Sequence, residues 1–188
     1  MAIYNTASDA SNTSVRALLT KIGELYYGRS YNTGSGAGKK VWLEIRDQIF
    51  NGCCVYCGES DVKLTIEHLI MFNRTEFGLH HPGNTVPCCS ECNKRRKGND
   101  KRYLDWKSHL WVVCEERGEP DMYEPRLNKV VEHMERGPYT YPKLTHEELS
   151  AIKVISQSLY ENIKIEVQKS LNLYSCLLYT SPSPRDRG

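Results

Sequence analysis

The chain has 188 residues, of which 39% are hydrophobic and 26% charged. That is the size and composition of one globular domain, or of one compact core with extensions. It excludes a fully disordered chain, a collagen and a coiled-coil rod. No apolar run approaches the roughly 18–20 residues that span a bilayer. The opening stretch MAIYNTASDASNTS is polar and has no charged-then-apolar leader pattern, so a soluble, cytoplasmic protein is expected. The formal net charge of +2 hides an asymmetry: between Asn93 and Lys107 seven basic residues face only Asp100 and Asp105, a local +5 that leaves −3 for the rest. A cationic patch on a near-neutral chain suits a polyanionic partner, and a solvated helix face is the plainer use of the same charges.

In chain order, residues 1–13 are small and polar and read as a disordered arm. A helix follows, with Val15, Leu18, Leu19, Ile22, Leu25 and Tyr26 on one stripe, N-caps at Asn12 to Ser14 and a stop at Gly28. Gly28 to Lys40 (GRSYNTGSGAGKK) reads as a flexible connector and contains no phosphate-binding GxxxxGK[ST] pattern. Trp42, Ile45 and Ile49 predict a second helix over 41–50, ended by Asn51-Gly52. Leu64 to His68 alternates as a strand, and Pro82-Gly83-Asn84 with Pro87 keeps the next stretch out of helix. A short helix is expected from Ser90, then a longer one over 101–116 with Tyr103, Trp106, Leu110 and Val113 inward. Prolines 120, 125, 138 and 142 leave room for one helix over 125–136. Thr145 to Glu148 fits a capping box opening the last helix, whose Leu149, Ile152, Ile155, Leu159, Ile163, Val167 and Leu171 recur every three or four residues. That stripe would pack on the core or form the seam of a homodimer. Cys176 to Asp186 has neither helical nor strand pattern; it resembles a translated sequencing adapter, which would end the native protein by about Ser175.

Eight cysteines in a chain with no sign of secretion point to metal rather than disulfides, and six of them fall in two clusters, Cys53-Cys54-Val55-Tyr56-Cys57 and Cys88-Cys89-Ser90-Glu91-Cys92. Cys54-x-x-Cys57 and Cys89-x-x-Cys92, separated by 31 residues, supply four thiolates for a closed tetrahedral zinc. Such a metal would offset the small core this segment can build. Cys53 and Cys88 stand beside them as spare ligands, and Cys114 on an apolar helix face reads as a core thiol. Inside the frame lie Glu67-His68 and Asn84, and Asn93 follows its last cysteine.

In combination, Cys54-x2-Cys57, Leu64-Thr65-Ile66-Glu67-His68, Gly83-Asn84-Thr85-Val86-Pro87-Cys88-Cys89 and Cys92-Asn93-Lys94-Arg95-Arg96-Lys97-Gly98 resemble the HNH endonucleases, in the branch with a four-cysteine zinc. The resemblance covers residues 51–98, about a quarter of the chain, and the flanking phrase KIGELYYGRS is similar to phage-type relatives. It implies a small ββα-metal core, a two-stranded hairpin followed by a helix, with structural zinc over 51–98; with the arm and two helices read over 1–50 and the helical extension read over 99–175, the expected fold is α+β. It further implies that His68 activates water as general base and that Asn84 pins the loop and orients His68. Glu67 and Asn93 would ligate a catalytic cation. Lys94, Arg95, Arg96 and Lys97, with Lys101 and Arg102, would hold the nucleic-acid backbone.

The family usually has Asp where Glu67 stands, and the extra methylene shifts the carboxylate by a distance to which catalytic sites are sensitive. With Asn93 as the other ligand, the oxygen donors favour Mg²⁺ or Mn²⁺ over Zn²⁺ at that position. His80 and His81 are alternative bases that read as surface histidines in a loop, and Asn73 is an alternative to Asn84. The expected function is metal-dependent hydrolysis of DNA phosphodiesters, giving 5′-phosphate and 3′-hydroxyl ends, in a bacterial cell and with a phage as one source of the gene. The competing readings are a zinc-stabilised DNA-binding module without catalysis and an RNA-directed nuclease.

Overall fold

The computed structural model describes residues 6–180; what was expected of residues 1–5 and of 181–188 lies outside the described residues. Contacts divide the chain into two units, one of Leu19–Leu144 and one joining Met1–Leu18 to Thr145–Gly188. The architecture is α+β, with a two-stranded antiparallel sheet and five α-helices among the described residues.

Helix α1 spans Ala7–Tyr27 and starts earlier than its apolar stripe predicts. Thr6 and Asp9 form a reciprocal cap, Thr6 N donating to Asp9 Oδ2 (3.0 Å) and Asp9 N to Thr6 Oγ1 (3.2 Å). Ser11, Thr13 and Ser14 turn their hydroxyls onto carbonyls four residues back, so the polar arm is helical from residue 7. Leu25, expected inward, is 80% exposed.

Helix α2 (Gly36–Glu44) runs into a π-helical turn over Ile45–Ile49, where Phe50 N donates to Ile45 O at 3.0 Å. It takes in part of the glycine-rich stretch read as a connector. Gly38 is there for close approach: a Cβ on it would lie 2.4 Å from the Asn32 backbone nitrogen.

Strands β1 (Leu64–His68) and β2 (Thr85–Cys89) pair with Leu64 opposite Cys89 and His68 opposite Thr85. The helix expected from Ser90 is replaced by turns. Asn93 N donates to Cys89 O (3.0 Å), and the chain then extends to pair Lys97 with Tyr103. The described residues therefore contain the hairpin but no helix directly after it. Two side chains account for this: Asn93 is tied back to β1, and Arg95 is drawn into the core by Glu67.

Helix α3 begins at Trp106, five residues later than predicted, because Asp105 caps it through the amides of Lys107 (2.9 Å) and Ser108 (3.1 Å). Tyr103, expected inward, lies outside this helix, half exposed under the Lys97 ammonium. Helix α4 covers Tyr123–Glu135 after a proline-led turn. Tyr31, Ile45, Phe50, Tyr56, Leu69 and Leu110 fill the core of this unit.

In the other unit, helix α5 (His146–Thr180) opens on the capping box, Thr145 N donating to Glu148 Oε2 (2.7 Å) and Glu148 N to Thr145 Oγ1 (3.2 Å). Its buried positions are Ile152, Ser156 and Tyr160, four apart, whereas Leu149, Ile155 and Leu171 of the predicted stripe are exposed. The helix continues through Cys176 to Thr180, so the first residues of the stretch read as patternless are helical. No helix among the described residues is long and apolar enough to cross a membrane.

Candidate metal centre and hairpin site

Two tight turns face each other at one end of the hairpin. Gly58 N donates to Cys54 O (2.8 Å) in the first, and Gly58 takes φ +77°, which suits a residue without Cβ. Asn93 N closes the second on Cys89 O. These turns bring the sulfurs of Cys54, Cys57, Cys89 and Cys92 within 4.8 Å of one another, all four residues buried. A zinc with Zn–S bonds of about 2.3 Å needs tetrahedral sulfurs about 3.8 Å apart; Cys57 and Cys89 are 3.8 Å apart.

The four sulfurs can hold a cation, and their mutual contacts already shift them in opposite directions, hydrogen bonds from Cys88 and Cys92 lowering the Cys54 thiol. Burial pushes the Cys57 thiol up to about 11, and the neighbouring Cys54 sulfur, followed by burial, raises Cys92. Four thiolates at this spacing need a divalent charge between them. Of the spare cysteines, Cys53 Sγ donates to Asn51 O (3.3 Å), whereas Cys88 Sγ, which donates to Cys89 O (3.4 Å), also lies against the Cys54 sulfur, which raises its pKa. Four buried cysteines that can hold a structural metal are thus in place, and theirs is the only such His, Cys, Asp or Glu cluster among the described residues.

The opposite end of the hairpin carries Glu67, His68 and Asn84. Asn84 is fully buried beneath the 69–83 loop. Its Oδ1 accepts from Ile70 N (2.8 Å), and its Nδ2 donates to Ile70 O and Leu79 O (2.9 Å each), so one amide ties both sides of the loop. Asn73 has a separate, local role, its Oδ1 taking the amides of Thr75 and Glu76 in an exposed turn.

The half-buried His68 ring stacks on Phe72 with centroids 4.8 Å apart, and its Nε2 shares a hydrogen bond with His80 Nδ1 at 2.9 Å. His80 and His81 are not the surface histidines the loop suggested. His81 is 3% exposed and accepts from Gly83 N, and burial, with His133 and His80 nearby, pulls it down to about 4. His80 is also lowered by burial and lies against the Tyr31 ring.

Glu67 is paired with Arg95. Burial raises the Glu67 pKa, and the guanidinium works against that rise. Arg95 is 6% exposed and also donates to Leu69 O and His68 O (3.0 Å each). Burial opposes its charge, and Tyr56 and Glu67 more than offset this. Arg95 therefore cannot reach a nucleic-acid backbone, correcting its place among the phosphate contacts: a carboxylate at a buried strand end holds the nearest guanidinium. Asn93 donates through Nδ2 to Thr65 Oγ1 (2.9 Å) and to Ile66 O (3.3 Å), setting its amide against β1 just before Glu67.

The remaining basic residues are exposed, and several are already paired: Lys94 with Glu91 (3.0 Å), Arg96 with Glu116 (2.7 Å) and Arg102 with Asp100 (3.9 Å). Lys97 and Lys101 are exposed beside them. A cleft of about 470 Å³ opens elsewhere, between the Cys54–Cys57 turn and α4, lined by Phe50, Cys53, Glu59, Arg117 and Lys129 and bordered by none of Glu67, His68, Asn84 and Asn93.

Tyr31 is the neighbour of His68 and His80 that the sequence reading missed, while His80, weighed there as an alternative base and read as a surface histidine, stands instead against the His68 ring. The signal for His80 was weak, a second histidine in the loop closed by Asn84. For Tyr31, inside a Gly-Ser-Asn stretch, there was none. Comparison with protein-family models, with curated proteins and with solved structures finds no match to this chain.

Proposed function

We propose that the chain is a metal-dependent endonuclease of the HNH type acting on DNA. The observation that carries this reading is the half-buried imidazole of His68, next to Glu67 at the end of a hairpin whose other end gathers four zinc-spaced cysteines. Imidazole titrates near neutral pH, so His68 suits removal of a proton from an attacking water. Asn84 keeps the loop beside it closed. Glu67 and Asn93 sit on or against one stretch of β1 and offer hard oxygen donors, Arg95 engaging only Oε1 of the carboxylate. A Mg²⁺ or Mn²⁺ ion held there would polarise the scissile phosphate and stabilise the leaving 3′ oxygen. Lys94, Arg96, Lys97, Lys101 and Arg102 form the exposed positive surface for the backbone, a contact blind to sequence that weakens as salt rises. DNA as the substrate rests on the family resemblance.

One observation favours a second reading, a zinc-stabilised DNA-binding module without catalysis: the Glu67 carboxylate is already neutralised by Arg95. Incubating the zinc-loaded protein with supercoiled plasmid and Mg²⁺ or Mn²⁺, then mapping the ends, separates the two. The nuclease reading expects nicked or linear DNA with 5′-phosphate ends, abolished by EDTA too dilute to strip the structural zinc. Salt-sensitive binding that leaves the plasmid intact, whatever the EDTA, supports the binding module instead.

A further inference from the structure

We propose that residues 96–104 form a basic finger that grips an unpaired DNA strand, Tyr103 stacking on a base while Lys97, Lys101 and Arg102 hold the phosphates. This rests on the reading of the chain as DNA-binding, which the nuclease and the binding module share. It adds the form of the nucleic acid that this surface takes: a single strand, with its base faces open.

The finger stands where a helix was expected. Gly98 N donates to Arg102 O (2.9 Å), Leu104 N to Arg96 O (2.9 Å) and Lys101 N to Gly98 O (3.0 Å), and Lys97 pairs antiparallel with Tyr103. The tip places a residue other than glycine in the left-handed region, Lys101 at φ +63°, and Asp100 Oδ1 steadies it by accepting from Arg102 N (3.0 Å). Lys97 and residues 99–103 are exposed, so apolar burial does not offset the cost of this order. The base is fastened on two sides. A carbonyl can only accept and an amide can only donate, so the buried His109 donates from Nε2 to Cys92 O (2.8 Å) and accepts at Nδ1 from Arg96 N (3.3 Å). That ring ties the finger to the turn of Cys89 and Cys92. Arg96 also pairs with Glu116 on α3 (2.7 Å).

The surface held out in this way joins cations to an open aromatic ring. Lys97, Lys101 and Arg102 outnumber Asp100, whose carboxylate is 3.9 Å from the Arg102 guanidinium with both side chains in solvent. An exposed pair of that kind is weak and yields to a phosphate. Tyr103 remains 50% exposed with the Lys97 ammonium 4.9 Å from its ring centroid. Every base has a π-face, but in a duplex that face is covered by its neighbours. Cations that track the backbone beside an aromatic ring on which a base can stack are the means by which proteins hold single strands. A purely phosphate-reading surface would have no use for the ring.

The test reads binding by fluorescence anisotropy, with full-length, zinc-loaded protein and no added Mg²⁺ or Mn²⁺. Three labelled probes of equal length are compared: oligo-dT, an abasic strand with the same phosphates, and the blunt dT·dA duplex. The wild type should prefer oligo-dT to the abasic strand by about 5-fold or more, the lower end of what one stacked base supplies. Tyr103→Leu should erase that preference while leaving the salt dependence and the duplex affinity unchanged, and Tyr103→Phe should keep it. Lys101→Gln and Arg102→Gln should weaken both single strands alike, each lowering the salt slope by about 0.7. Equal affinity of the wild type for oligo-dT and the abasic strand, or no binding to either, overturns the proposal. So does a Tyr103→Leu protein that still discriminates, or that loses as much on the duplex. Binding is read without turnover, so plasmid cleavage judges the nuclease reading separately. A protein that nicks plasmid but ignores the bases loses the finger alone, and one that reads the bases but cuts nothing keeps the finger and ends the nuclease reading.

Discussion

The two ends of one hairpin are built by different physics. At the Leu64–Cys89 end, four sulfurs from two short turns stand at zinc spacing, packed among core residues that include Val55, Tyr56 and Leu110. At the His68–Thr85 end no such cluster forms among the described residues. Instead Asn84, Arg95, His80 and Tyr31 satisfy the backbone and one another in a web of neutral and charged hydrogen bonds. The first end offers four cysteines that can hold a structural metal. The second depends on buried polar groups keeping their partners, Arg95 Nε being buried without one, and the loss of a partner exposes the next group to a full desolvation penalty.

The largest expected effect lies at the metal end. Structural zinc contributes on the order of 10 kcal/mol to folding in small zinc modules. Cys57→Ser, or removal of zinc by a strong chelator, should therefore abolish cooperative unfolding of residues 51–98, read by near-ultraviolet circular dichroism beside elemental analysis. Native protein that folds without bound zinc would break the comparison. At the polar end, Arg95→Met should cost about 3–5 kcal/mol in urea titrations by leaving Glu67 buried and unpaired, while the double variant Arg95→Met/Glu67→Leu should recover most of the loss. Equal losses in the single and double variants would show that the pair is not the source.

Asn84→Ala strands Ile70 N, Ile70 O and Leu79 O and should cost on the order of 3 kcal/mol, with amide exchange accelerated across the 69–79 loop and not at the zinc turns. The smallest effect is one of pH. His81 falls from about 6.5 unfolded to about 4 folded, so the unfolded chain binds the proton first. Its stabilising contribution, roughly 2–3 kcal/mol, is complete above about pH 6.5 and lost as pH falls toward 4. His81→Asn, which still accepts from Gly83 N, should flatten that slope in denaturation series with zinc content monitored.

This contrast also explains what the sequence could disclose. Metal ligands announce themselves by spacing, and Cys54, Cys57, Cys89 and Cys92 are the residues the CxxC pattern selects. Strand β1 and the α5 capping box were legible for the same reason, being local. The polar end depends on partners far apart in the chain: Arg95 reaches Glu67 across 28 residues, and Tyr31 reaches Thr85 across 54. A basic run reads as surface until the structure shows that one member has a buried carboxylate to meet. The helix expected after Ser90 failed for the same reason, since its side chains are held by β1 rather than by their own turn.

The measurement that tests the central claim most directly compares wild type with His68→Ala, at equal zinc content and equal melting temperature, on supercoiled plasmid with Mg²⁺ or Mn²⁺. The account predicts nicking by the wild type and a loss of at least about 100-fold in the variant, the lower end of what a general base supplies. Equal cleavage by both proteins, or plasmid left intact by the wild type with either cation, would contradict it.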